Sequence, residues 1–404
     1  MAGAAIGVSH LVQSTRAGAG YGWQLLVGIL LVNLLKYPFF EYGHRYAAAT
    51  GESLLQGYRR LGRGFIYAFL VLNSVTSVIS IAGVALVTAA LAQSLFPGLA
   101  LGPQSLTFWS AFLMMVCAGI VIVGRYKGLD CLIKGMLVVL VTATIAAFTY
   151  ALWEGPAAPA DFEHPVAWSV VNLGFIIALM GWMPAPIEVS VWQSLWLQAR
   201  SDQEGELMTP SEARFDFNLG YGVTVLLAVV FLGLGAVVMY GSGETFSDAA
   251  AVFVGQVIRL YTEAIGEWAW PFIAVAAFTA MFSTLLTLID AYPRSLAVSL
   301  ELAVPGLPLR GRLLHHLKIG LSCALSVLII AAFRDDLKGL VDLATTLAFL
   351  AAPVFAFLNY RLIFSVHTPV DLQPGSVLRW LSRLGILFLT GLSLLFLSSL
   401  VGIC

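Results

Sequence analysis

Three side chains in apolar surroundings could coordinate a cation: Glu188, Met183 and His10. A cation in a low-dielectric cavity needs a carboxylate nearby, and a thioether suits soft or borderline metals better than hard ions such as Ca²⁺ and Mg²⁺. A neutral imidazole could act as a ligand or carry a proton, because its unperturbed pKa is about 6.5. These residue types therefore predict a site for a divalent metal ion.

Each of these side chains also has a purely structural interpretation. Glu188 could cap the start of a helix, where free N–H groups and the positive end of the helix dipole stabilise a carboxylate. Met183 could be an ordinary core methionine. His10 could hydrogen-bond backbone groups freed by local unwinding. The sequence leaves both interpretations open for all three residues.

One long apolar run is interrupted at its centre by residues that break helices. The run 168–197 contains Gly181, Pro184 and Pro186 next to Glu188. A proline removes a backbone N–H and clashes with the preceding turn, so the helix is expected to stop here. A bilayer tolerates such a break only where it lines a protein-enclosed or water-filled cavity. An interrupted span near the bilayer midplane indicates the binding site of a transporter.

The composition places the whole chain in a membrane. Of 404 residues, 59% are hydrophobic and 11% are charged, with a mean hydropathy of +0.90. No soluble globular domain has this balance. The net charge of −1 argues against nucleic-acid binding. The sequence also lacks metalloprotease, nucleophile-elbow and phosphate-loop motifs, so an enzyme is not expected.

Apolar runs of suitable length predict eleven transmembrane helices in an all-α integral membrane fold. A further apolar stretch, 249–265, is expected at the interface or in an extracellular loop. With a cytoplasmic N-terminus, thirteen of the 21 Lys and Arg residues fall in inner loops and four in outer loops. This asymmetry predicts a cell (inner) membrane protein with its N-terminus inside and its C-terminus outside. The expected spans are 2–19, 22–46, 64–95, 105–124, 129–152, 168–197, 217–241, 268–292, 314–333, 338–364 and 381–402.

The first and sixth spans both have polar centres that contain glycine or proline, and they lie five spans apart. This spacing predicts two five-helix repeats of inverted topology, each opening with a broken helix. The repeats would be residues 1–152 and 168–364, followed by an extra helix at 381–402, within one transmembrane domain, 1–404.

Similarity to a known family is carried by residues 17–26, Asn33-Leu34, residues 49–54, Thr76, Gly83, Ala85, Met183-Pro184 and Phe282-Ser283-Thr284. These segments resemble the natural resistance-associated macrophage protein (NRAMP) family. The similarity implies the leucine-transporter-like fold and, by family, proton-coupled import of Mn²⁺, Fe²⁺ or similar ions. The lipid bilayer and a metal ion would then be the partners, with no cofactor and with the metal as substrate.

The chain departs from the family where the family binds its ion and its proton. The family's Asp-Pro-Gly-Asn motif falls on Gly7-Val8-Ser9-His10, so a glycine replaces the ligand carboxylate and His10 replaces the ligand amide. The family's Asp and Glu of the third span fall on Ser77 and Ser80, and its histidine after Met183-Pro184 has no counterpart. We therefore expect weak or absent proton coupling, with the driving ion left open.

Residues of both interrupted spans make up the expected metal site. Gln13, Asp342 and Thr345 could lie in a second layer, although Asp342 could equally begin the tenth span, where acids are favoured. Two pairs at i,i+4 spacing, Asp290 with Arg294 and Glu41 with Arg45, are expected to be structural ion pairs. The expected ligands are Met183, Glu188, His10, the Ser9 hydroxyl and the carbonyls near Gly7 and Gly181.

Two other functions stay open at this point. The neutral Ser9, Gln13 and Ser14 would also suit a small organic solute such as an amino acid or amine, because a fold alone does not fix a substrate. A non-transporting receptor or partner subunit is the third possibility, since few residues precede Gly7 and the first half-helix would be short. A sequence that starts late would look the same. The oligomeric state is not predicted.

Overall fold

The computed structural model describes residues 7–99, 102–124, 127–159, 161–204, 209–306, 308, 311–333 and 335–401. Across these residues every regular element is a helix, as the composition predicts. A π-helix spans Ser9–Ser14. The α-helices are α1 Thr15–Tyr21, α2 Leu26–Thr50, α3 Leu54–Leu61, α4 Arg63–Leu95, α5 Ser105–Val123, α6 Lys127–Glu154, α7 Leu173–Gly181, α8 Val189–Glu204, α9 Pro210–Val238, α10 Ala250–Ile265, α11 Trp270–Ala303, α12 Gly311–Phe333, α13 Leu337–Ile363 and α14 Ser376–Leu400.

Nine of the described helices are long and apolar enough to cross a membrane: α2, α4, α5, α6, α9, α11, α12, α13 and α14. Two further predicted spans consist of two pieces each, the π-helix with α1 and α7 with α8. Together they account for the eleven predicted spans and confirm a polytopic helical membrane protein. Residues 2–6 of the first span lie outside the described part of the chain. The division into two repeats stays a prediction.

The apolar stretch between the seventh and eighth spans forms helix α10, which packs on α4, α6 and α11. It buries Phe253, Val257 and Tyr261, and the Tyr261 hydroxyl lies 3.1 Å from the hydroxyl of Thr144 on α6. The short helix α3 was not predicted, although Ser53 and Gln56 form a capping box at its start. That box is a recognisable sequence signal for a helix N-terminus.

The sixth span breaks where the prolines predict. Helix α7 ends at Gly181 and α8 begins at Val189, so Pro184 and Pro186 lie between them. A glycine is required at the end of α7, because a Cβ at position 181 would stand 1.8 Å from the carbonyl oxygen of Thr345 on α13. Close packing on α13 and missing N–H groups therefore fix the break together.

The first span differs from the expected unwound segment at Gly7-Val8-Ser9-His10. The carbonyl of Gly7 accepts from the N–H groups of His10 at 3.1 Å and Leu11 at 3.0 Å, so the chain is helical from here onward. The physical reason is local: residues 8–14 contain neither proline nor glycine, so nothing interrupts the backbone ladder. The wider π-turn is the only irregularity, and such turns are frequent at functional sites.

The two predicted i,i+4 ion pairs are both present. Asp290 and Arg294 stand 2.6 Å apart on α11, and Glu41 and Arg45 stand 2.5 Å apart on α2. Both pairs join residues of the same helix, as their spacing predicts.

Candidate functional site

A small cavity lies where the first span, the break in the sixth span, α4 and α11 meet. It is lined by Gly7 and Ser9 at one side and Pro184 and Pro186 at another. Its volume open to water is about 30 Å³, so it admits at least one water molecule. Ser80 of α4 and Thr284 and Tyr292 of α11 complete its polar lining. The first span and the break in the sixth span thus line one cavity.

Glu188 lies at the end of the break, directly before α8, with its side chain fully buried. Its carbonyl accepts from the N–H groups of Val191 at 2.9 Å and Trp192 at 3.4 Å, in the first turn of α8. Its Oε1 atom lies 3.1 Å from the hydroxyl of Tyr292, which in turn lies 3.1 Å from Oγ of Ser80. The main chain of Glu188 therefore starts the helix, while the side chain contacts residues that line the cavity.

The second carboxylate oxygen of Glu188, Oε2, has no hydrogen-bond partner among the protein atoms. Thr76 of α4 lies nearby, but its hydroxyl also lacks a partner of acceptable geometry. Buried polar atoms of native proteins are nearly always bonded, and an unpaired one costs about 1–3 kcal/mol. An ion, a water molecule or a polar substrate group is the natural partner for this oxygen.

A lysine that was not predicted as a site residue reaches the break from α2. Lys36 is fully buried, and its Nζ atom donates to the carbonyl oxygens of Met180 at 2.7 Å and Gly181 at 2.8 Å. These are the last carbonyls of α7. A signal for this residue exists in the sequence, because a lysine inside an apolar span is by default a functional candidate.

Met183 and Gly181 lie in or beside the break, as predicted, but neither lines the cavity directly. The Met183 side chain is fully buried. The Gly181 carbonyl, expected to be a ligand, is already engaged by Lys36. The ammonium therefore uses one of the two lone pairs of this oxygen.

His10 faces away from the break and toward α9. Its Nε2 atom lies 2.9 Å from the carbonyl oxygen of Thr224, and its Nδ1 atom lies 2.9 Å from Oγ of Ser9. A carbonyl oxygen can only accept, so Nε2 carries the hydrogen. The ring also packs edge-on against Phe231 of α9. These contacts match the structural interpretation of His10, in which it bonds main-chain groups.

The three residues expected in a second layer come together, but away from the cavity. Gln13 donates to Asp342 at 2.9 Å and to Thr345 at 3.2 Å. Asp342 also forms a bidentate ion pair with Arg16, at 2.7 and 3.0 Å, and Arg16 donates to Gln13 at 3.1 Å. This cluster of Gln13, Arg16, Asp342 and Thr345, here called the outer network, ties the first span to α13.

Among the residues that the structure describes, acidic and imidazole side chains do not cluster as they do around a structural metal. Over the part of the chain that the structure describes, no group of three or more His, Cys, Asp or Glu residues could hold a metal ion. A metal bound at the break would therefore depend on one carboxylate, with neutral oxygens, a thioether or water as its other ligands.

The family and the fold are both shown by comparison with known proteins. The sequence model of the natural resistance-associated macrophage protein-like family matches residues 1–399. An uncharacterised protein of Pasteurella multocida (strain Pm70) is 39% identical over 405 residues, covering 100% of this chain and 91% of the relative. A crystal structure of a mutant Eremococcus coleocola manganese transporter superposes with a TM-score of 0.71 at 15% identity, covering 98% of this chain and 84% of that chain. MhsT in complex with L-phenylalanine has a TM-score of 0.62 at 14% identity, covering 97% and 96%. The leucine-transporter-like fold is thereby confirmed.

Proposed function

Because the chain belongs to the natural resistance-associated macrophage protein-like family, a family of transporters and not of enzymes, we propose that it moves a divalent metal cation across the membrane by alternating access. A protein of similar structure is a manganese transporter, and we therefore take Mn²⁺ as a candidate substrate of the present chain. We further propose the cell (inner) membrane and a cytoplasmic N-terminus, on the strength of the distribution of Lys and Arg in the loops.

The single observation that carries the proposal is the unpartnered Oε2 atom of Glu188. It is a fully buried carboxylate oxygen beside residues that line the shared cavity. A dication in such a place gains from the charge and also supplies the missing partner. The cavity admits at least one water molecule, so an ion of similar size also fits.

The outer network provides one of the two gates that alternating access requires. Along the first span, Ser9 lines the cavity, and Arg16 lies two helical turns further on, where it lines an open surface pocket with Tyr21 and Lys338. With a cytoplasmic N-terminus, that pocket faces the outside. The bidentate Arg16–Asp342 pair would then hold the outer side closed, and its opening would give the ion a path to the cavity.

Flux measurements in liposomes test the proposal. Purified full-length protein should take up Mn²⁺, Fe²⁺ or Co²⁺, and Glu188→Gln should reduce the initial rate about 100-fold, since the loss of one buried charge partner is worth about 3 kcal/mol or more. Glu163→Gln, at an exposed carboxylate, is the matched control and should keep the wild-type rate. Absence of flux for every divalent metal, including Mg²⁺, or full flux by Glu188→Gln, would refute metal transport through this site.

A second candidate substrate is a small organic solute, such as an amino acid or amine. The observation that favours it is a pair of indoles: Trp182 and Trp192 both line the cavity, and neither Nε1 atom has a hydrogen-bond partner. Two such donors suit an organic carboxylate or carbonyl group. A thermal-shift screen separates the candidates, because a true ligand raises the unfolding temperature by mass action. Stabilisation by amino acids and not by Mn²⁺ would favour the organic solute.

A further inference from the structure

The end of helix α7 is a place where a cation is expected. The last carbonyls of a helix have no partner within the helix and carry the negative end of its dipole. Inside a membrane protein those oxygens need another donor or a cation, because no bulk water is available. At the end of α7 this need concerns the carbonyl of Gly181, directly before the break, and in part that of Met180, whose main-chain donors are Trp182 and, at 3.4 Å, Met183.

Lys36 meets this need with a charge that belongs to the protein itself. Its ammonium group stands 2.7 Å from one of these oxygens and 2.8 Å from the other. Both distances are those of charge-assisted hydrogen bonds. The side chain belongs to a different helix, α2, and is fully buried, so this contact between helices lies in the protein interior.

A carboxylate lies on the other side of the break. Glu188 is fully buried, as Lys36 is. A free cation that entered between the same carbonyls would face a positive charge already in place. At the short distances involved, that repulsion is large in a medium of low dielectric constant.

We propose that the Lys36 ammonium is a resident cation, which permanently fills the cation position at the carbonyl end of α7 and excludes free cations from it. Two consequences follow. A substrate metal ion binds without these carbonyls, using the Glu188 side of the break; this clause rests on the proposed function. Removal of the Lys36 side chain turns the same carbonyls into a binding site for a small external cation.

Thermal unfolding of the full-length protein tests the second consequence without any transport assay. Lys36→Ala should unfold at a lower temperature than wild type in choline chloride. Added n-propylammonium chloride, which restores the deleted atoms, or NaCl should raise its midpoint by roughly 3 °C at about ten times the Kd, while wild type shifts by less than about 1 °C. Lys318→Ala, which removes a lysine from the apolar helix α12 away from the break, is the matched control and should gain no response. A response of wild type equal to that of Lys36→Ala would overturn the proposal.

Anomalous scattering from wild-type crystals covers the case in which Lys36→Ala does not fold. After a soak in Mn²⁺, no peak should appear within about 3 Å of the carbonyl oxygens of Met180 and Gly181. A peak at that position would overturn the proposal that Lys36 excludes free cations, and it would leave the proposal of metal transport intact. A failure of all metal flux, with the salt response of Lys36→Ala intact, would remove the proposed substrate and leave the resident cation standing.

Discussion

The polar side chains of the first span and those around the break in the sixth span differ in how many of their atoms have hydrogen-bond partners within the protein. In the first span, Ser9, His10 and Gln13 all form hydrogen bonds, and they tie that span to α9 and α13. Around the break, Glu188 Oε2 and the Nε1 atom of Trp182 have no partner within the protein. These side chains of the first span thus have partners within the protein, while polar atoms at the break can still form hydrogen bonds with a ligand. On this difference we base the prediction that binding depends on the sixth span more than on the first.

The largest effect is expected at the junction of the break with α13. Gly181→Ala would place a Cβ 1.8 Å from the carbonyl oxygen of Thr345. The end of α7 must then shift, at a cost of about 3 kcal/mol in the free energy of unfolding. Gly174→Ala on the same helix meets only an ordinary contact at 3.9 Å and should be neutral or slightly stabilising. Denaturation midpoints of the two variants test this difference in stability. Equal midpoints would contradict the close packing of Gly181 against the Thr345 carbonyl.

A smaller effect is expected at His10, and it should fall on stability and not on transport. His10→Phe removes the bond to the Thr224 carbonyl and leaves that oxygen and the Ser9 hydroxyl without this partner, at a cost of about 1–2 kcal/mol. The rate of metal uptake per folded molecule should change less than about twofold. A rate loss as large as that of Glu188→Gln would show that His10 takes part in metal binding, and it would contradict a purely structural role for the first span.

A weaker effect still is expected at the outer network. Asp342→Asn removes the charge that pairs with Arg16, a partly exposed interaction worth up to about 1 kcal/mol. That change should populate states open to the outside. In a background with Ser9→Cys, an impermeant thiol reagent should label the cavity cysteine up to about five times faster than with Asp342 intact. An unchanged labelling rate would show that this pair is not a gate.

The smallest expected effect concerns protons. The resemblance to the family implies that Ser77 and Ser80 replace two acids. In this chain Ser77 donates to the Ser74 carbonyl, and Ser80 contacts Tyr292. A serine hydroxyl does not ionise near neutral pH, so it cannot take up and release a proton as a carboxylate does. Metal uptake should therefore change less than about twofold when an inward proton gradient is imposed on the liposomes. A strong acceleration would contradict the expectation of weak or absent proton coupling.

The sequence was most informative where one residue type has one structural consequence. Pro184 and Pro186 predicted the break, and the i,i+4 spacing of Asp290 and Arg294 predicted their ion pair. Two details depended on neighbours far along the chain. Lys36 bonds carbonyls more than 140 residues away, and the direction of His10 is set by a carbonyl on α9, 214 residues away. No local pattern encodes such partners, so only the packed helices show them.

Thr345 has a consequence for how the two ends of the site move. Its main-chain oxygen abuts Gly181 at the end of α7, and its hydroxyl accepts from Gln13 of the outer network. Thr345 of α13 thus contacts both the end of α7 and Gln13 of the first span. A shift of α7 at Gly181 would therefore press on the residue that also binds Gln13, so Thr345 links the break to the rest of the outer network.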